Sequence, residues 1–212
     1  MRRSAEVAEI LLKERVIAIL RGVRSPRVEP IVDALRGAGL TFVEITFEAE
    51  GGAETLAALR SRFGDTVHLG AGTILNAQQA DAALKAGAQY LVSPGLFEDV
   101  SEFARRRDAL YIPGVLTASE IGLALRWGRR ILKLFPAGLM GPEYMRAMQA
   151  PYPDAKFLAV GNIGVEDIPT YLKAGAVGVA MGSQLVGRGD TPGTIALKAA
   201  RVAKGIRDHA LA

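Results

Sequence analysis

The chain contains no cysteine among its 212 residues, only two histidines and a single tryptophan. Without cysteine there are no disulfides, no thiolate nucleophile and no thiolate metal ligand. The histidines, His68 and His209, form no HxH or HExxH spacing. His68 opens an apolar run and His209 lies in the C-terminal tail, so both read as surface residues. Neither a histidine-led metal site nor a Ser-His-Asp arrangement is expected. No apolar run reaches the roughly 18–20 residues that span a bilayer. The N-terminal MRRSAEVAEILLKERV mixes acids with its apolar residues and reads as an amphipathic helix rather than a signal peptide. Together with the missing cysteine, this fits a cytoplasmic chain with no membrane partner. GxGxxG and GxxxxGK[ST] are absent, and Gly70-Ala71-Gly72 does not complete the dinucleotide pattern, so no nucleotide cofactor is implied. No Pro/Ser-rich linker interrupts the pattern, so residues 1–212 read as one domain.

A large excess of one sign of charge is also lacking. The net charge is +4, and the basic residues are dispersed, with short clusters only at Arg105–Arg107 and Arg129–Arg130. No basic stripe carries interleaved aromatics, which argues against nucleic acid as a partner. The mild positive balance suits a small anionic substrate.

Half of the residues are hydrophobic, and they are arranged in a repeat. A short apolar run ends in polar or Gly/Pro residues, an amphipathic helix follows, and a glycine resets the pattern. Eight runs fit: VIAILR (16–21), FVEITF (42–47), VHLGAG (67–72), YLVSPG (90–95), LYIPGV (110–115), ILKLFP (131–136), FLAVGN (157–162) and VGVAMG (177–182). Gly39, Gly87, Gly128 and Gly175 stand where helix C-caps are expected. Strands apolar on both faces and alternating with helices imply a parallel sheet. Eight units in this length predict an α/β fold, a (β/α)8 TIM barrel, with the extra N-terminal helix covering its bottom. An open doubly wound sheet is the alternative.

Active sites of such barrels form at the C-terminal strand ends. Read in order, those ends bring together Arg21; Glu44 and Thr46; Gly70 to Thr73; Ser93 and Pro94; Pro113 and Gly114; Lys133 and Phe135; Gly161 and Asn162; and Gly182 and Ser183. Lys133 is the most informative of them, because apolar strand formers flank it on both sides. A lysine in such a run commonly snorkels to water, but a buried lysine tends toward the neutral amine, a nucleophile for carbonyls. Strand alternation puts Lys133 on the face of Phe135, and Glu44 on the face of Thr46. If both faces point inward, an amine and a carboxylate meet at the mouth, as a structural ion pair or as a catalytic one. The glycines ending the last two strands suit backbone binding of phosphate, with the Ser183 hydroxyl added. A lysine, a carboxylate and a phosphate cradle suggest Schiff-base chemistry on a phosphorylated keto substrate, with neither metal nor organic cofactor.

VEIT (43–46), GAGTILN (70–76), VSPG (92–95), IPGV (112–115), KLFPA (133–137) and GS (182–183) together resemble the 2-keto-3-deoxy-6-phosphogluconate (KDPG) aldolase family, from about residue 16 to residue 186. The resemblance implies a class I aldolase of Entner–Doudoroff carbohydrate metabolism, usually a homotrimer. It cleaves a 2-keto-3-deoxy sugar acid phosphate to pyruvate and glyceraldehyde 3-phosphate. By resemblance, Lys133 forms the Schiff base and Glu44 shuttles protons. Thr73, Pro94 and Phe135 line the pyruvyl pocket, and Gly161 with Gly182–Ser183 binds phosphate. Two positions depart from the pattern. Glu48 stands where KDPG-specific members usually carry a carboxylate-binding arginine, which leaves Arg21 as the best remaining cation. Val160-Gly161-Asn162 replaces the common T-G-G; a valine there is similar to the galactonate-type relatives. Asn162 can adopt a left-handed backbone and so still offer its N–H to phosphate. The alternatives are a 2-keto-3-deoxy-6-phosphogalactonate or 4-hydroxy-2-oxoglutarate aldolase, a phosphosugar isomerase or synthase without a covalent adduct, and a non-catalytic phosphosugar-binding barrel.

Overall fold

The computed structural model describes residues 3–22, 27–47 and 51–210. Helix α1 (Ser4–Glu14) precedes β1 (Val16–Leu20), α2 (Val28–Gly37), β2 (Phe42–Thr46), α3 (Gly52–Phe63) and β3 (His68–Gly72). Then come α4 (Ala77–Lys85), β4 (Tyr90–Val92), α5 (Glu98–Arg106), β5 (Leu110–Ile112), β6 (Gly114–Val115) and α6 (Ala118–Arg126). The chain continues through β7 (Ile131–Leu134), α7 (Ala137–Met140), α8 (Pro142–Gln149), β8 (Lys156–Val160), α9 (Ile168–Lys173), β9 (Gly178–Met181) and α10 (Pro192–Ala210).

All strand pairs are parallel, in the order β5-β4-β3-β2-β1-β9-β8-β7-β6. The expected eight strands are all present, with the fifth broken at Pro113 into β5 and β6. Its first piece pairs with β4 and its second with β7. These pieces stand at the two ends of the order, so the break joins them and closes the barrel. Proline has no N–H to give to a ladder; its carbonyl accepts from Lys133 N at 2.9 Å. The open doubly wound sheet is thereby excluded.

Strand alternation sorts the core into two layers. Val43, Ile45, Leu132 and Leu134 face outward and pack with helix residues such as Leu35 and Ile121. Ile17, Ile19, Phe42, Tyr90, Ile131, Leu158 and Val160 fill the interior together with Val7 and Leu11 of α1. The N-terminal helix therefore covers the bottom, and the interior is a packed core.

The four predicted cap glycines have left-handed backbones, with φ of 87°, 99°, 76° and 104° at Gly39, Gly87, Gly128 and Gly175. Each sits in the same paired pattern. Gly39 N, for example, donates to Arg36 O and Leu40 N to Leu35 O, which satisfies carbonyls left open at the helix end. At the other helix ends, Asn76 caps α4 by accepting from Gln79 N at 2.9 Å. A reciprocal Thr117–Glu120 box caps α6. These caps hold the loops that follow β3 and β6 at the barrel mouth.

His68 corrects the sequence reading. It is only 6% exposed, and its ring stacks on Phe42 at 4.5 Å between centroids. As the first residue of β3 it pairs in register with Phe42, and its parity carries it into the interior rather than to the surface.

Candidate active site

Lys133 and Glu44 both enter the barrel interior. Lys133 lies two residues after Ile131 on β7, and Glu44 two after Phe42 on β2, so each rises from the interior face of its strand. They are 6% and 1% exposed, and Thr46 is 4% exposed. The structure therefore settles the question that spacing left open: this lysine does not reach out to water.

What surrounds each group follows from neighbouring residues. The Lys133 Nζ lies 5.0 Å from the centre of the Phe135 ring, a cation–π contact. That ring rests on Gly161, where a Cβ would come within 2.8 Å of it. The Glu44 carboxylate lies over Gly72, whose missing side chain provides its space: a Cβ there would stand 1.8 Å from Oε1. Thr46 Oγ1 donates weakly to Leu20 O at 3.5 Å, tying the end of β2 to β1.

A cavity of about 340 Å³ opens at the C-terminal strand ends. It brings together seven residues expected from the sequence: Arg21, Lys133, Phe135, Gly161, Asn162, Gly182 and Ser183. Val160, which departs from the common motif, also lines it. Asn162 has φ 55°, the left-handed conformation anticipated for it, directly after Gly161 at φ 93°. Gly161 O accepts from Gly138 N at 2.9 Å, which fastens this turn to the start of α7. Beyond β9, Gly182 O accepts from Leu185 N and Val186 N at 2.9 and 2.8 Å, which closes the second turn.

Four expected residues do not line that cavity. Glu44 and Thr46 are buried in the barrel. Thr73 follows β3, half-buried, with φ 59°. Pro94 follows β4, also half-buried, and its carbonyl lies where a Cβ on Gly114 would stand, 2.2 Å away. Glu48 lies outside the described residues. The sequence reading missed Ile19, Ile163, Ala180, Met181 and Gln184 as lining residues. Strand parity was the available signal for two of them, since Ile19 shares the face of Ile17, and Ala180 that of Gly182. Among the described residues no cluster of three or more His, Asp or Glu is placed to hold a metal ion, and no helix is long and apolar enough to cross a membrane.

The family model for KDPG and KHG aldolase matches residues 7–193. The chain belongs to the KDPG/KHG aldolase family. It is thus an aldolase, a carbon–carbon lyase. It is 34% identical to the 2-dehydro-3-deoxy-6-phosphogalactonate aldolase of Escherichia coli K12 over 91% of this chain and 95% of that protein. It is 36% identical to the 2-dehydro-3-deoxy-phosphogluconate aldolase of Pseudomonas aeruginosa over 80% and 77% of the two chains. The solved native KDPGal structure superposes with a TM-score of 0.89 at 32% identity, covering 93% of this chain and 96% of that one. In KDPG/KHG aldolase terms, the barrel mouth holding Lys133 is the candidate active site.

Proposed function

We propose that this family member is a class I aldolase that cleaves KDPG to pyruvate and glyceraldehyde 3-phosphate through a Schiff base on Lys133. The observation that carries this reading is the burial of Lys133 beside Phe135, in a cavity whose rim holds Arg21, Asn162 and Ser183. A nucleophilic amine and groups suited to an anionic substrate thereby share one space.

In this mechanism the neutral Lys133 amine adds to the C2 ketone. Glu44 relays protons so that the carbinolamine loses its hydroxyl as water, leaving an iminium. Glu44 then accepts the proton of the C4 hydroxyl. The C3–C4 bond breaks, its electron pair moves into the iminium to form an enamine, and the aldehyde leaves. Protonation at C3 and addition of water release pyruvate and restore the amine. General acid–base assistance of this kind contributes about 10²–10⁴ in rate. The iminium is the electron sink, so the scheme calls for neither metal nor organic cofactor. Thr46, Thr73, Pro94 and Phe135 shape the pyruvyl end. Arg21 meets the substrate carboxylate or phosphate, and Gly161, Asn162, Gly182 and Ser183 cradle phosphate with backbone N–H groups and the serine hydroxyl. Residues 1–212 act as one domain, in a cytoplasmic homotrimer.

Val160 favours a second reading, the galactonate epimer. It lines the cavity where a hydroxyl-bearing residue is the common one, and the Escherichia coli galactonate-type relative aligns over most of both chains. Incubation with pyruvate and borohydride followed by peptide mapping tests the chemistry. A reduced adduct on Lys133 supports it; an adduct elsewhere, or none with any 2-keto acid, sinks it. Comparing kcat/KM for the two epimers, with and without phosphate, decides between the substrates.

A further inference from the structure

Tyr90 is a buried polar side chain that the reaction leaves without a task. It is 0% exposed, and its Oη makes no hydrogen bond with any described residue. A hydroxyl removed from water without a partner is costly, and protein interiors commonly satisfy such a group with a bound water.

Its position is set by β3. Glu44, Gly70 and Tyr90 are register partners across β2, β3 and β4. Gly70 and Gly72 share the interior face, and each leaves a recess for a neighbour. A Cβ on Gly70 would lie 2.2 Å from Cε2 and Cζ of Tyr90, just as one on Gly72 would meet the Glu44 carboxylate. The phenol end and the carboxylate therefore lie against one strand two residues apart, roughly 6.6 Å along it. Two hydrogen bonds of about 2.8 Å that meet at the bent angle of one water reach roughly 4.5 Å, and the phenol oxygen stands one C–O bond beyond the ring carbon that meets Gly70.

We propose that Tyr90 is a positioning residue: its hydroxyl and the Glu44 carboxylate hold one buried water between them, which orients the carboxylate for proton transfer. The hydroxyl donates to the water and the water donates to the carboxylate. Burial, and then the charges of Glu44 and Glu14, push the phenol well above its ordinary value, so it is a donor at neutral pH. Among the described residues, the other buried ionisable groups on this interior are Lys133 from β7 and His68 at the start of β3. The inference rests on Glu44 being the proton carrier of the proposed mechanism.

Tyr90→Phe tests it, because the ring that fills the Gly70 recess is kept. Loss of a donor to the anion raises the carboxylate's proton affinity. The acid limb of kcat/KM against pH should therefore move to higher pH. kcat should fall about two- to tenfold, the scale of one hydrogen bond, while KM changes little. An unmoved acid limb with unchanged kcat, accompanied by a raised Tm, overturns the proposal, since that is how an orphaned hydroxyl behaves when removed. Glu44→Gln is measured alongside. If it is severely impaired while Tyr90→Phe is unchanged, only the Tyr90 proposal falls. If it turns over normally, the role of Glu44 falls and the positioning proposal with it.

Discussion

Replacing Gly72 with alanine should disable the enzyme by moving one carboxylate. Gly72 has no positive φ, so an alanine there brings no backbone strain. Its Cβ would stand 1.8 Å from Glu44 Oε1, 2.4 Å from Cδ and 2.7 Å from Cγ. Ordinary contact begins near 3.4 Å, so Oε1 has to retreat by about 1.6 Å. Glu44 is 1% exposed and Tyr90 fills the recess next to it at Gly70, so the retreat displaces packed neighbours. Overpacking of this kind costs about 1–3 kcal/mol, and Tm falls by roughly 2–4 °C per kcal/mol for a chain this long. A misplacement of about 1 Å in catalytic geometry costs on the order of 10²-fold. The assay is pyruvate release coupled to lactate dehydrogenase, with circular dichroism to verify the fold. Gly37→Ala serves as the control, because a Cβ there meets nothing within 4 Å. It should keep full activity and gain about 0.5–1 kcal/mol. A Gly72→Ala enzyme that is folded and within threefold of wild-type kcat would refute the placement of Glu44 as the proton carrier.

Gly161→Ala combines an unfavourable φ of 93° with a Cβ only 2.8 Å from the Phe135 ring. It should lose about 2 kcal/mol in a denaturant melt and slow borohydride trapping of pyruvate, because the ring facing Lys133 must shift. Burial pushes the Tyr111 phenol up to about 12. Its stabilising effect is complete below pH 10 and is lost as pH rises toward 12, because the unfolded chain releases that proton first. Tyr111→Phe should flatten the alkaline loss of stability by about 1.4 kcal/mol per pH unit across that window. An unchanged slope would contradict the assignment. Thr117→Ala removes one side of the cap on α6 and should lower stability by about 1 kcal/mol with kcat unchanged, as measured by thermal melting beside the coupled assay.

The strands and the four glycine caps at helix ends were legible in the sequence because they depend on local rules. Period-two alternation marks Glu44 and Lys133 as sharing faces with Phe42 and Ile131. A glycine two or three residues before the next apolar run marks a helix end. The residues at the strand ends could be named in advance because a parallel barrel places them all at one mouth. The break at Pro113 was written in the sequence as a proline within LYIPGV, but its consequence was not. Whether a proline ends a strand or hands it to a new neighbour depends on which strand lies on the other side. His68 was misjudged for a related reason: its exposure depends on α1, which seals the end of the barrel where β3 begins.

The sequence by itself determined the chemistry on offer. It held a lysine in an apolar strand, a glutamate in another, glycines at the last strand ends, and no thiol. Those are properties of residue type and spacing. Tertiary structure alone decided what each group touches. Gly72 is a turn-like glycine in sequence and a seat for the Glu44 carboxylate in the barrel, and Gly161 is a seat for the Phe135 ring. Such contacts join residues 26 to 28 positions apart in the chain, and only the pairing of neighbouring parallel strands, β2 with β3 and β7 with β8, sets their distances. That is why the sequence names the reacting groups, while the barrel decides how they are held.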